Sequence, residues 1–319
     1  MNTNTYTTAV YHGDSREILK GFPNGYFNLI VTSPPYADSR KSHYDSITPD
    51  QYVDFMLSFH EQFWRVLADD GSFVLNIKDK VVNGVRHRYV WHTIEALSSR
   101  GWYCVDDYLW TKPNAMPGYW KNRLRDEWEY CFHMTKGKHF AMYQDAVRKP
   151  MGDWAPKRLA SLTGKSAERH NSENASGFGR DLRKWLDKET VLPGNTISVP
   201  LVGKNMGHPA VFPVGLPEFF IRLFTKQSDH VLDPFAGSGS TALAAEKLCR
   251  NVALIDTKAE YIDVIRSRLD KNKAPDYMRQ YYEESQPVQA EKQLALLEGK
   301  SAYPVDQAKQ ARTVKAPSS

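Results

Sequence analysis

Cysteine is scarce: the 319 residues include three, Cys104, Cys131 and Cys249, with no CxxC pair and no histidine cluster near them. That spacing argues against a disulfide scaffold or a zinc site, and no metal is expected. Long apolar runs are missing as well. The N-terminal MNTNTYTTAV has no basic start followed by an apolar stretch, and nothing elsewhere approaches the ~20 residues of a membrane-spanning helix. A soluble protein of a reducing, cytoplasmic compartment is expected, with no membrane partner. Neither sign of charge dominates, since 42 Lys and Arg stand against 37 Asp and Glu for a formal net charge of +5. The balance permits an anionic partner such as nucleic acid without demanding one.

What is present is an alternation of strands and helices. TAVYHG reads as a strand, DSREILKGF as a short helix capped by Asp14 or Ser15, and NLIVT as a strand whose unbroken apolar run fits a fully buried parallel position. A helix follows from about residue 49 to 67, with Tyr52, Phe55, Met56, Phe59 and Phe63 at helical spacing and turned to the core. GSFVLNI, WYCVDDYLW, EWEYCFHMT, HVLDPF and NVALID read as further strands, and YVWHTIEALSSR, PEFFIRLFT, TALAAEKLC and EYIDVIRSRLD as helices. This rhythm predicts an α/β fold around a parallel sheet. It fails between 141 and 207, where Gly, Ser, Asn, Lys and Arg prevail and Trp154 and Trp185 are interspersed. There Lys157, Arg158, Lys165, Arg169, Arg180, Arg183, Lys184 and Lys188 outnumber the acids, so the segment reads as an insertion, either a solvated loop or a nucleic-acid surface. The expected division is 1–140, the insertion 141–207, 208–275, and a polar, mostly disordered tail 276–319.

Two stretches carry chemistry. In NLIVTSPPY a buried strand runs into Pro34 and Pro35, each of which fixes its own φ and restricts the residue before it. The result is a stiff turn, which serves either as punctuation or to aim a carbonyl at a ligand. In VLDPFAGSGSTALAAEKL a strand, a turn with Gly237 and Gly239, and an alanine-rich helix bring backbone amides close to a ligand at a helix N-terminus. Nineteen residues after Gly237, Asp256 ends the next strand, where a carboxylate can accept from ribose hydroxyls. Gly237, Gly239 and Ala242 also satisfy the dinucleotide fingerprint, which keeps a nicotinamide-dependent dehydrogenase in contention. Position argues against it: one helix and a polar tail follow Asp256, so the rest of the sheet must come from upstream.

TSPPY upstream and DPFAGSGST downstream, in that order, resemble the DNA amino-methyltransferases whose catalytic motif precedes the S-adenosylmethionine motif; the likeness spans about residues 8 to 271. It implies a circularly permuted, Rossmann-like α/β methyltransferase fold, a seven-stranded, mostly parallel sheet with an inserted target-recognition region, and S-adenosylmethionine as cofactor. Carried over by motif, Ser33, Pro34, Pro35 and Tyr36 are the catalytic set. Asp233, Pro234, Phe235, Gly237, Gly239 and Thr241 surround the methionine end, Asp256 holds the ribose, and Asp14 lies near the adenine. HPAVFPVGLPEFFIRLF places His208, Pro209 and Phe212 beside the methionine portion. Arg40, Tyr44, Lys112, Lys157, Arg158, Lys165, Arg169, Arg180, Arg183 and Lys184 are the expected DNA contacts, and LWTKPNAMP, with Trp110, Lys112 and Pro113, resembles the stretch flanking the target-base pocket.

Serine rather than aspartate opens the four-residue motif, which in this family is typical of N4-cytosine enzymes; N6-adenine methylation is the alternative. The amino nitrogen of cytosine is a poor nucleophile because its lone pair is delocalised. The Ser33 hydroxyl and the Pro34 carbonyl, held by the prolines, would accept from its protons and localise that pair. The base must leave the duplex, and Tyr36 offers a face for stacking. Carbon-5 chemistry needs a thiolate, usually in a Pro-Cys pair; none exists here, and all three cysteines are read as core. Double-stranded DNA is the expected partner, in a restriction-modification setting with a cognate endonuclease, the protein itself being a monomer or weak dimer. A cofactor-bound nucleic-acid-binding protein without turnover is the reading from another class.

Overall fold

A computed structural model describes residues 6–37, 47–152, 189–201 and 213–270, and the backbone of 168–169 and 180–181. In chain order the main elements are β1 (Thr8–His12), α1 (Ser15–Ile18), β2 (Phe27–Thr32), α2 (Tyr52–Val66), β3 (Leu67–Ile77), α3 (Tyr89–Ser98), β4 (Tyr103–Thr111), β5 (Trp128–Thr135), β6 (Thr196–Ser198), α4 (Gly215–Phe224), β7 (His230–Asp233), α5 (Ser240–Lys247), β8 (Asn251–Asp256) and α6 (Ala259–Leu269). The eight strands form one sheet in the order β1-β8-β7-β2-β3-β5-β4-β6. Every neighbouring pair is parallel except those of β5, which runs antiparallel to both β3 and β4.

Seven of these strands are the ones expected from sequence, and the last two to be made, β7 and β8, lie between the first two. β6 is additional. Its three residues pair with Leu109, Trp110 and Thr111 of β4, inside the span read as insertion. The chain divides into two compact units, one of residues 1–143 with 195–319 and the other Gln144–Gly194, so the second unit is narrower than the 141–207 drawn from composition. Within that second unit Thr190–Val191 pairs antiparallel with Lys149–Pro150, and Arg180–Asp181 with Glu168–Arg169.

The apolar pattern explains the layers. Leu29, Ile30 and Val31 are all 0% exposed, as an unbroken apolar strand covered on both faces must be. One face meets α2, whose Tyr52, Met56, Phe59, Phe63 and Val66 recur at intervals of four and three and are buried. Thr48 and Gln51 form a capping box ahead of this helix, with Pro49 at its first turn. Tyr89, Val90, Ile94 and Leu97 of α3 join the same core, against Ile30, Phe73, Leu75, Leu232 and Ile255 of the sheet. Burial of this kind, at about 25 cal/mol per Å² of apolar surface, drives assembly of the layers. Helix α4 packs on α5 and meets β2 and β3, while α5 meets β8. Among the described residues no helix is long and apolar enough to cross a membrane.

Candidate active site

Register brings the chemistry-bearing residues to one edge of the sheet. His12 pairs with Asp256, Leu232 with Ile30, and Thr32 with Leu75, so β1, β8, β7, β2 and β3 all end there. Strands β7 and β2 flank the point where the order of connection reverses, which is where open α/β sheets hold ligands.

The glycine turn follows β7. Gly237 and Gly239 adopt φ of 50° and 80°, and a Cβ on Gly239 would sit 2.8 Å from Cγ1 of Ile265 in α6. Glycine is therefore needed there for both conformation and space. The turn is tied at three places. The Ala236 amide donates to the carbonyl of Ile255 at 2.9 Å, and the Gly237 amide to Asp256 Oδ2 at 2.8 Å. Arg268, 2% exposed, donates to the Ser238 carbonyl at 2.5 Å and to the hydroxyls of Ser238 at 2.8 Å and Ser240 at 3.3 Å. Replacing Arg268 with Met should lower stability by about 2–4 kcal/mol, since it strips charge-assisted bonds from buried acceptors. Denaturant unfolding measures that loss, and an unchanged midpoint would show the clamp to be idle.

Asp233 connects this turn to SPPY. It is 3% exposed and accepts from Thr32 Oγ1 at 2.7 Å, Thr241 Oγ1 at 2.5 Å and the Phe235 amide at 3.2 Å. Thr32 ends β2 immediately before Ser33; Thr241 lies in the first turn of α5. Burial pushes the Asp233 carboxyl up to about 6, even though the hydrogen bonds from Thr241, Thr32 and Phe235 pull the other way. Asp256, with its second oxygen accepting from the Lys258 amide at 2.9 Å, is likewise raised by burial. Asp14 behaves differently: it caps α1, accepts from the Arg16 amide at 2.8 Å and pairs with the Arg16 guanidinium at 2.5 Å. That hydrogen-bonded ion pair holds its carboxyl below the usual range. Ser15 Oγ donates to the Pro234 carbonyl at 2.5 Å, which joins α1 to the turn, and Phe235 lies 4.9 Å from Phe59 of α2, ring centre to ring centre.

Behind SPPY lies a second buried polar group that the motif alone does not announce. Tyr36 Oη is 2.6 Å from Glu129 Oε2, 3.0 Å from Asn76 Oδ1 and 3.1 Å from Ser33 Oγ. Glu129 Oε1 accepts from Lys112 Nζ, and these two residues are 6% and 8% exposed. The Lys112 ammonium also sits 4.6 Å over the Trp110 ring. Asn76 Nδ2 donates to the Tyr130 carbonyl at 2.9 Å, which fixes its oxygen toward Tyr36. Burial first, then the negative charge of Glu129, pushes the Tyr36 phenol well above its ordinary value.

The structure thus brings together Ser33 and Tyr36 and, through Thr32 and Asp233, the catalytic and glycine motifs. Two expectations are corrected. Lys112 is not an exposed DNA contact, because the Glu129 carboxylate draws its ammonium into the interior. Cys104 is exposed rather than core, whereas Cys131 and Cys249 are buried, and burial raises each thiol. Arg40, Tyr44, Lys157, Arg158, Lys165, Arg183, Lys184, His208, Pro209 and Phe212, with the 276–319 tail, lie outside the described residues, and Arg169 and Arg180 are described by backbone alone. Glu129, Asn76, Thr32 and Arg268 escaped the sequence reading. So did the later part of the loop after β4, where Tyr119 and Leu124 are 90% and 89% exposed beside Lys121, Arg123 and Arg125.

The donor set suits a nucleoside bearing an amino-acid end. Two carboxylates at adjacent strand ends, Asp14 and Asp256, are acceptors that match an adenine amino group and a ribose diol, and Gly237 and Gly239 leave room for a ligand to approach the turn closely. Fold and paired motifs together define a methyltransferase of the class that acts on exocyclic amino groups. The chain belongs to the N6_N4_Mtase family of DNA methylases, whose sequence pattern matches residues 27–267, and the family uses S-adenosylmethionine. It is 30% identical over 316 residues to the type II methyltransferase M.PvuII of Proteus hauseri, covering 87% of this chain and 89% of that protein. The solved structure of PvuII DNA methyltransferase (cytosine-N4-specific) superposes with a TM-score of 0.63 at 26% identity, covering 92% of each chain. The M1.HpyAVI–SAM complex shares the fold, with a TM-score of 0.55 at 21% identity over 83% of this chain and all (100%) of that one.

Proposed function

We propose that this enzyme methylates the exocyclic N4 of a flipped-out cytosine in double-stranded DNA as the modification half of a restriction-modification pair. The observation that carries the reading is Ser33: the serine-first SPPY motif sits at the end of β2, and the adjoining Thr32 is hydrogen-bonded to the Asp233 that anchors the glycine turn. The cytosine-N4 specificity of PvuII methyltransferase supports it. When bound, S-adenosylmethionine supplies a methyl group on a cationic sulfur, an electrophile that requires no covalent enzyme intermediate. Asp256 holds the ribose, Asp14 the adenine, and the turn from Asp233 to Thr241 the methionine end. Ser33 Oγ and the Pro34 carbonyl accept from the amino group and favour a localised lone pair, while Tyr36, its hydroxyl anchored inward, presents its ring to the base. The unit Gln144–Gly194 carries target recognition, with its lysines and arginines on phosphates and a few side chains on base edges.

The test is nucleoside mass spectrometry of unmethylated mixed-sequence DNA after incubation with the protein and S-adenosylmethionine. N4-methylcytosine is the expected product, and Ser33→Ala should lower its yield per unit time about 10- to 100-fold with cofactor binding retained. N6-methyladenine instead would overturn the base assignment while leaving the chemistry in place.

A further inference from the structure

Hydrogen-bond chains have a direction, and the one behind SPPY is set at its buried end. Lys112 is donor-only, and the Glu129 carboxylate it faces is acceptor-only. Tyr36 must therefore donate to Glu129, at 2.6 Å, with the longer 3.0 Å approach to Asn76 Oδ1 as the weaker arm. A phenol has one hydrogen. With it committed, Tyr36 Oη can only accept along the 3.1 Å contact to Ser33, so the hydrogen on that contact belongs to Ser33. Once the serine hydrogen points inward, Ser33 Oγ shows only lone pairs outward, and lone pairs are what a donating amino group requires. The raised Tyr36 phenol is consistent with a tyrosine that keeps its proton.

We infer that Glu129 is a positioning residue for methyl transfer: through Tyr36 it fixes the Ser33 hydroxyl as an acceptor toward the substrate amine. This rests on the methyl-transfer reading above. It explains why a charged pair is kept, at a desolvation cost, within one side chain of the catalytic serine. It also identifies what Glu129→Gln changes. The introduced amide turns its oxygen to Lys112 and its NH2 to Tyr36, so the phenolic hydrogen passes to Asn76 Oδ1 or to Ser33 Oγ; in the second arrangement the serine hydrogen turns toward the substrate, and the loss of kcat measures that arrangement.

The experiment measures methyl incorporation from radiolabelled S-adenosylmethionine into unmethylated mixed-sequence DNA, with kcat and the cofactor KM determined separately. Wild type is compared with Glu129→Gln, Tyr36→Phe, their double variant, and Lys112→Met/Glu129→Gln, which leaves no buried unpaired cation. Each single substitution should lower kcat about 10- to 100-fold with the cofactor KM within about twofold, and the double variant should be no slower than Tyr36→Phe alone. Lys112→Met/Glu129→Gln should recover thermal stability but not turnover, so poor folding of Glu129→Gln does not block the decision. The inference is overturned if Glu129→Gln, or the Lys112→Met pair in its place, keeps kcat within about twofold of wild type, or if the losses of Glu129→Gln and Tyr36→Phe multiply. Absence of methyl transfer by the wild type overturns the underlying reading too, and is seen before any variant is compared.

Discussion

Asp233→Ala is expected to cost about 3–5 kcal/mol of stability, whereas Asp233→Asn is expected to cost little at pH 7 and to flatten the dependence of stability on pH between about 4 and 6. In the alanine variant Thr32, Thr241 and the Phe235 amide lose their common acceptor in a site only 3% exposed. The loss is a sizeable share of the ~5–15 kcal/mol that holds a domain together. The asparagine variant keeps an acceptor oxygen for Thr32 and Phe235, and the Thr241 hydroxyl can turn to accept from the new amide. Its pH behaviour follows from the raised carboxyl. With a folded value of about 6, native Asp233 keeps a proton in a window where the unfolded chain has already released it. Stability from this group therefore falls as pH rises from about 4 to about 6, and the penalty, about 2–3 kcal/mol, is complete above that. Asp256, raised in the same direction, contributes a slope of the same sign to both proteins, and because its charge also raises Asp233, the difference between wild type and Asp233→Asn reads Asp233 together with that mutual repulsion. Urea unfolding at half-unit pH intervals supplies the curves. Parallel curves would show that Asp233 does not titrate in this range.

The second large effect is expected at Gly239, where alanine should abolish measurable S-adenosylmethionine binding and lower stability by about 2–4 kcal/mol. The backbone there has φ of 80°, a region that costs an L-residue about 1–2 kcal/mol. The added methyl would lie 2.8 Å from one side-chain carbon of Ile265 and 3.2 Å from another, an overlap worth a further ~1–3 kcal/mol. Both strains are relieved by moving the turn away from α6, which displaces the Ser238 carbonyl from Arg268 and the Gly237 amide from Asp256. Calorimetric titration with the cofactor, beside a thermal melt, checks both parts. Pairing Gly239→Ala with Ile265→Val should return part of the stability; if it returns none, backbone strain rather than contact dominates.

Local pattern made most of the fold legible. Strand β2 announced its burial by having no polar alternation, α2 by aromatics spaced four and three apart, and the glycine turn by residues that only a tight approach requires. The polar groups behind the site were illegible for a common reason. Thr32 and Asp233 are 201 positions apart and Tyr36 and Glu129 are 93 apart, and nothing in WEY distinguishes a carboxylate that turns inward from one that faces water. Lys112, next to a proline in a polar stretch, has the composition of a surface residue, and only a partner 17 positions later draws it inside. Cys104 sits in a strand of mixed pattern whose outer face could not be told from its inner one. β6, at three residues, spans too little of a strand's two-residue alternation to reveal itself.

The permuted strand order has a consequence for synthesis on the ribosome. β1 and β2 emerge within the first 32 residues, yet the two strands that fill the gap between them, β7 and β8, are the last of the sheet to be translated. Until they arrive, the nascent chain holds two short strands with facing edges open, one of them apolar on both sides. Such an intermediate invites pairing with other chains, and contacts of this sequence separation form slowly. Production of this enzyme should therefore gain from slower translation and from chaperones that shelter open strand edges, and truncation before residue 230 should yield aggregate rather than a smaller folded unit.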